Sequence, residues 1–153
     1  MQSPSTGLSL IQCDNLPFTG FDCGDAEVNQ WFAKDVAPCT EQLLVKSFEL
    51  KAPDTPAKSR HIGLVSLCND AVLKRDLIDM LPVPEDKLFS SWPAVKITAL
   101  AVATDFQRRG LGSEIIRLIA QLFTTDNRTG CRFITLEAHT AVTRFYQLLD
   151  LSS

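Results

Sequence analysis

The run Gln107-Arg108-Arg109-Gly110-Leu111-Gly112 carries the clearest chemistry in this sequence. A strongly apolar stretch, Ala94 to Ala103, precedes it, and an amphipathic run beginning at Ser113 follows. A glycine-bearing turn between a strand and a helix gathers several main-chain N–H groups around one point, where the helix N-terminus also favours negative charge. Glycine keeps side chains out of that space and permits unusual backbone angles. Arg108 and Arg109 can add charge-assisted hydrogen bonds. A pyrophosphate is the expected occupant. The plainer account, a tight turn whose arginines are merely solvated, is disfavoured by the flanking strand and helix. Gly-Lys-Ser/Thr is absent, so the turn is not a mononucleotide P-loop. With one Gly-x-Gly pair it is not the usual dinucleotide fingerprint either.

Other reactive side chains are scattered. Five cysteines (Cys13, Cys23, Cys39, Cys68 and Cys131) stand at no metal-clip spacing, and their odd number gives little support to a disulfide framework. No metal site is expected. The two histidines, His61 and His139, are candidate proton carriers by residue type, but each is more simply structural or solvent-facing. Tyr146 is the single tyrosine. By pattern alone its ring packs inside and its hydroxyl points out.

The elements that must position these residues are read from periodicity. Leu8 to Cys13 is a short β candidate. Val28, Trp31, Phe32 and Val36 form a helical stripe over about residues 25–37, with Pro38 as the expected stop. Strands are expected over Gln42–Leu50 and His61–Leu67, the second continuing through a turn to Leu73. Lys51 to Arg60 is a loop or hairpin turn. Residues 74–93, broken by Pro82 and Pro84, read as a lid or substrate-side loop, with a surface insertion as the plain alternative. Ala94–Thr104 is the clearest strand, apolar enough for burial on both faces. A helix follows over Ser113–Thr124, then a loop at 126–130, a strand over Cys131–Ala138 and a last helix over Thr140–Leu149. The second half alternates strand and helix, and the first half is more antiparallel, so the expected class is mixed α/β (α+β) in one domain spanning 1–153.

Composition fits that architecture. The chain has 153 residues, of which 45% are apolar and 22% charged, so disorder and fibrous repeats are excluded. The formal net charge of -3, with the acidic surplus in residues 1–50, argues against a protein that coats nucleic acid. The first ten residues lack a basic segment followed by an apolar core, and the most apolar stretch is about half the length of a membrane span. A cytoplasmic chain without a membrane partner is the default expectation.

With the hexapeptide in this setting, the sequence resembles the GNAT superfamily of acyl-CoA-dependent N-acyltransferases. Gln107, Gly110 and Gly112 match the family's Gln/Arg-x-x-Gly-x-Gly/Ala signature between strand four and helix three. Lys96-Ile-Thr-Ala-Leu-Ala-Val-Ala-Thr-Asp105 is similar to the strand before it, Phe133-Ile-Thr-Leu-Glu-Ala138 to strand five, and Arg144-Phe145-Tyr146 to the Phe-Tyr pair of the helix that follows. The likeness is specific over about 94–149. At the front, Phe21-Asp22-Cys23-Gly24 with Asn29 and Trp31 resembles the opening of acetyltransferase toxins from toxin–antitoxin pairs, which block the amino group of aminoacyl-tRNA.

The resemblance implies a mostly antiparallel central sheet flanked by helices, with acetyl-CoA as cofactor and an amine as acceptor. It implies that the pantetheine arm pairs with strand four at Leu100, Ala101 and Val102. The pyrophosphate then rests on N–H groups of Gln107, Arg108, Arg109, Gly110, Leu111 and Gly112, and an N–H near Val102 polarises the acyl carbonyl. Tyr146 becomes the general acid that meets the departing thiolate. The base stays open among Glu137, Asp105, His139, His61 and water. Trp31, Phe32 and Trp92 are weaker candidates for an acceptor wall, with packing as the plainer role.

One departure stands out. After Phe145-Tyr146 the family's pattern leads through glycine into further strands, whereas Asp150 fills the glycine place here. The expectation is a fold lacking the C-terminal strands, with a bare strand-five edge that an antitoxin-like partner or a second copy of the chain would cover. The competing functions are therefore an N-acetyltransferase, acting on aminoacyl-tRNA or on another amine, and a degenerate module that binds acyl-CoA or a partner without catalysis.

Overall fold

Alternating apolar residues along the chain build a six-stranded sheet in the order β1-β2-β3-β4-β5-β6. The computed structural model describes residues 7–53, 61–73, 75, 90–125, 127–137 and 143–151. Strands β1 (Ser9–Gln12), β2 (Lys46–Lys51), β3 (Gly63–Leu73) and β4 (Ser91–Val102) are successively antiparallel. Helix α3 (Leu111–Thr125) crosses over to β5 (Phe133–Glu137), which runs parallel to β4. The antiparallel β6 (Thr143–Gln147) and a last helical turn, α4 (Leu148–Leu151), complete the described chain. The expected mixed, mostly antiparallel sheet is therefore present.

Each face of the sheet has its own core. On one face Ile115, Leu118, Ile119 and Ala120 of α3 pack on Leu10, Leu50, Val65, Val95, Ile97 and Ile134. The spacing i, i+3, i+4 explains why α3 lies flat there. On the other face Phe32 and Val36 pack against Leu64, Ala101 and Phe18. A smaller patch, Val72, Trp92, Ala94 and Phe133, extends that face toward β6. Trp31 and Phe32 thus serve the core: Phe32 is fully buried, and the Trp31 indole N–H donates to the buried Ser66 hydroxyl at 3.0 Å. Trp92 is buried as well.

Pro38 does not end the first helix. Three segments run on from one another: α1 (Ala26–Gln30), a π-helical turn (Trp31–Asp35) and α2 (Val36–Glu41). Asp25 caps the start, its carboxylate accepting from the N–H groups of Glu27 and Val28. In the wide turn the Val36 N–H reaches Trp31 O, five residues back. That change of hydrogen-bond register falls just before Pro38, where a missing N–H and a bulky ring are most easily accommodated.

The helix expected over 140–149 is absent from residues 143–147. Thr143–Gln147 is a strand, with Ile134 paired to Tyr146 and Thr135 to Phe145. The edge of β5 explains the difference: its unpaired N–H and C=O groups require partners, and a β-branched and aromatic run supplies them. Tyr146 faces the α3 side and Phe145 the opposite side. Within the described residues, the expected bare edge of strand five is covered by the chain itself. Much of the expected lid, 74–93, and the loop at 54–60 lie outside the described residues.

Candidate active site

The site is a fork in the sheet. Strands β4 and β5 pair from Ala94↔Phe133 to Ile97↔Leu136 and, among the described residues, no further. Strand β4 continues to Val102, still paired to β3 on its other edge. The edge of β4 from Thr98 to Val102 is therefore open toward β5 over about 13 Å, at about 3.3 Å per residue. An extended ligand arm bearing amides can add to such an edge as a strand would. Leu100, Ala101 and Val102 all lie on this open stretch.

A bulge marks the crotch of the fork. Ser66 pairs with Ala99 and Leu67 with Ile97, so Thr98 is an extra residue on β4. It shifts the side-chain alternation: Val95 and Ile97 face α3 before the bulge, Leu100 and Val102 after it. That three-residue step between Ile97 and Leu100 is visible in the sequence as a slip of the apolar period. It is the signal by which the bulge is legible without coordinates.

Beyond β4, a 3₁₀ turn (Thr104–Phe106) leads to the hexapeptide. Arg108 has φ 65° and Gly110 φ 73°, and backbone that alternates hand in this way makes a concave row of N–H groups. Among the described residues, the N–H groups of 108–113 have no acceptor, and the first such bond is from Glu114 to Gly110 O at 3.1 Å. A Cβ at Gly110 would meet nothing within 4 Å, and one at Gly112 would meet only a Leu100 methyl at 3.8 Å. The space over the loop is open, and the donors that line it lack partners, so the turn fits a pyrophosphate. The Arg109 guanidinium lies 5.5 Å from the Phe106 ring centroid, which holds that arginine beside the loop. Gln107 is turned the other way. Its amide donates to Cys23 O at 2.7 Å and Val102 O at 2.9 Å, so its side chain ties the loop to the end of β4.

A family model described as Acetyltransferase (GNAT) family matches residues 82–150. Among solved structures, a tyrosine-to-phenylalanine variant of KacT superposes with a TM-score of 0.74 at 16% identity, covering 94% of this chain and 96% of that one. AtaT complexed with acetyl-methionyl-tRNAfMet gives 0.72 at 14% identity, covering 94% and 96%. An AtaT variant toxin bound to the C-terminus of its antitoxin AtaR and to acetyl-CoA gives 0.69 at 13% identity, covering 94% and 95%. This chain has the GNAT acetyltransferase fold. No curated protein sequence matches it.

Other residues expected at a GNAT site are dispersed. Tyr146 stands on β6, not on a helix, and its ring is packed against the α3-side core beside Ile134. Ile134 in turn is level with Val95, three residues short of the bulge. His61 and Asp105 line a cavity of about 130 Å³ with Thr19, Gly20, Asp22 and Phe106, just beyond the C-terminal end of β4. There the His61 Nδ1 lies 2.7 Å from the Glu49 carboxylate, itself 3.3 Å from Lys51. His139 lies outside the described residues. Glu137, by contrast, is one residue past the last β4–β5 pair.

The cysteines form no disulfide among themselves. Burial and the neighbouring Glu49 push the Cys13 thiol up to about 12, and burial pushes Cys131 up to about 11. Both are thiols at neutral pH, the wrong form for a nucleophile. No group of His, Cys, Asp and Glu among the described residues is arranged to hold a metal ion. No described helix is long and apolar enough to cross a membrane.

Proposed function

We propose that this chain is an acyl-CoA-dependent N-acetyltransferase that passes the acetyl group of acetyl-CoA to a primary amine by direct attack, with the α-amine of aminoacyl-tRNA as the first acceptor to test. The observation that carries the proposal is the fork: an open β4 edge leading from an unpaired row of N–H groups to a bulge. Such a site holds a phosphorylated arm along one strand and presents its acylated end at Thr98. Main-chain N–H groups at the bulge polarise the acyl carbonyl, four residues further along the open edge than the position near Val102 that the sequence implies. Bound acetyl-CoA supplies the activated acyl group. The residues of the chain orient it, exclude competing geometries and accept or return protons. Tyr146 is the residue proposed to protonate the thiolate.

The tRNA acceptor is supported by the AtaT complex with acetyl-methionyl-tRNAfMet, and an antitoxin partner by the AtaT–AtaR complex. With a net charge of -3, tRNA binding would rest on a local basic surface and fall steeply with salt. One observation favours a second reading, a non-catalytic acyl-CoA module: Tyr146 packs in a strand rather than standing on a helix.

Acetyl-CoA, but neither ATP nor NAD, is expected to raise the melting temperature by roughly 5–10 °C at a hundredfold excess over Kd. Labelled acetyl-CoA is then offered to a panel of aminoacylated bulk tRNA, lysine peptides and small primary amines. Absence of any thermal shift at millimolar acetyl-CoA overturns the cofactor. A shift without labelling of any amine leaves the non-catalytic module.

A further inference from the structure

On the face of the sheet away from α3, beside the crotch, lies a polar cavity of about 200 Å³ lined by Asp70, Val72, Lys96, Thr135, Glu137 and Phe145, together with Ala71. We infer that this cavity receives the amine of the acceptor and that Glu137 takes the proton the amine must lose. The inference rests on the acetyltransferase proposal and adds to it the side from which the acceptor enters and the base.

Thr135 is paired with Lys96, and Leu136 with Ile97 in the last rung before β4 and β5 part. Glu137 is the next residue of β5, and Thr98, the next residue of β4, is the bulge. An acyl group brought down the β4 edge from the N–H loop arrives at this level. Helix α3 and its core close one face of the sheet there. The opposite face carries the cavity, between the apolar patch around Phe32 and that around Trp92. An acceptor entering from that face approaches the acyl carbon without displacing the core.

Three charged groups face the cavity from the described elements packed around it: Asp70 on β3, Lys96 on β4 and Glu137 on β5. Their formal sum is negative, which favours an ammonium over an anion. Asp70 is committed to the fold. One of its oxygens accepts from the Ala71 N–H at 2.8 Å, and the other accepts from the Thr135 hydroxyl at 2.7 Å. Lys96, as a cation, gives the cavity no base. Its Nζ lies 3.2 Å from Glu137 Oε1. Among the described residues Glu137 Oε2 has no partner, so Glu137 alone presents a free carboxylate oxygen. Its side chain is 65% exposed, so a proton collected there returns to water.

The bound ammonium gives a proton to the Glu137 carboxylate and becomes a neutral amine. Its nitrogen pair forms the C–N bond to the acyl carbon while the C–S bond breaks, the electron pair leaving on sulfur. Tyr146 gives its proton to the departing thiolate, and the nitrogen's remaining surplus proton passes through solvent to the Tyr146 oxygen, giving an amide and free CoA thiol. Glu137 then releases its proton to solvent.

The test uses the full chain and whichever amine of the panel takes the label fastest. Glu137→Gln keeps the shape of the side chain and removes the base. We expect kcat/KM for the amine to fall about 100-fold near pH 7 and to climb back as pH rises, because the variant depends on amine already neutral in solution. The KM for acetyl-CoA stays unchanged. Glu137→Asp recovers part of the loss, and Arg144→Gln, on the opposite face of the sheet, is a control expected to behave as wild type. A Glu137→Gln variant within threefold of wild type at every pH, with labelling intact, overturns the inference and spares the acetyltransferase proposal. If wild type labels no amine at all, the acetyltransferase proposal falls, and this inference with it.

Discussion

The side-chain amide of Gln107 donates to the main-chain carbonyl of Cys23 at 2.7 Å, joining two loops 84 residues apart in sequence. Around that bond, Cys23 N–H donates to the Asn29 side chain, and Asn29 donates to Asp22. The Thr104 N–H in turn donates to Asp22 O at 3.0 Å. The Gly24 N–H and the Asn29 amide hold the Asp22 carboxyl below its ordinary value. The loop preceding α1 is thus tied to the row of N–H groups through Gln107, the first residue of the glycine signature.

Replacing Gln107 with Leu removes both carbonyl bonds while keeping similar bulk. A net hydrogen bond is worth about 0.5–1.5 kcal/mol, and the exposure of Gln107 places this pair toward the low end. The expected outcome is a Tm lowered by a few degrees and acetyl-CoA affinity weakened about tenfold, read by calorimetric titration. An unchanged affinity would show that the loop holds its shape without the tie.

The two glycines of the loop should respond differently. Gly110 has φ +73°, so alanine there is strained by about 1–2 kcal/mol even though its Cβ meets nothing within 4 Å. Gly110→Ala is expected to lower both stability and acetyl-CoA affinity. At Gly112 an added Cβ would make only an ordinary 3.8 Å contact with Leu100. Gly112→Ala is therefore expected to leave Tm within about 1 °C and still weaken acetyl-CoA binding tenfold or more, because the methyl intrudes on the ligand's space. Paired thermal melts and titrations separate the two effects.

Tyr146→Phe distinguishes chemistry from packing. The ring stays in the α3-side core, so Tm should hold. If Tyr146 is the general acid, removal of its hydroxyl should cost turnover at least tenfold, with the Kd for acetyl-CoA unchanged. Equal turnover would return Tyr146 to packing and leave the proton to water.

Cys13 supplies a pH-linked prediction. Its thiol, raised from 9.0 to about 12, should alkylate with iodoacetamide about 1,000-fold more slowly than an unperturbed cysteine at pH 8, since the thiolate is the reactive form. Unfolding in urea should restore the ordinary rate. The linkage has a definite sign: the unfolded chain releases this proton above pH 9.0 and the folded chain does so only near 12, so the contribution of Cys13 to stability is whole below that window and declines as pH rises across it. Mass-spectrometric labelling rates over pH 7–9 check the first part.

What the sequence determined by itself is what local chemistry specifies. The apolar runs 94–103 and 113–124 set the strand and helix, and between them Gln107 to Gly112 admits few backbones besides a donor-lined turn, because Gly110 must take positive φ. Tertiary structure decided what depends on partners distant in the chain. Pro38 follows a π-helical turn whose shifted register accommodates it, and Phe145-Tyr146 became strand because the β5 edge offered N–H and C=O groups to pair with and each face offered a core for one of the two rings. The cavity proposed for the acceptor shows this most clearly. Asp70, Lys96, Thr135 and Glu137 carry no motif, and they meet because the register of three strands puts them on one face beside the bulge at Thr98. Register arises from the fit of whole apolar faces against each other, so no single segment of sequence encodes it.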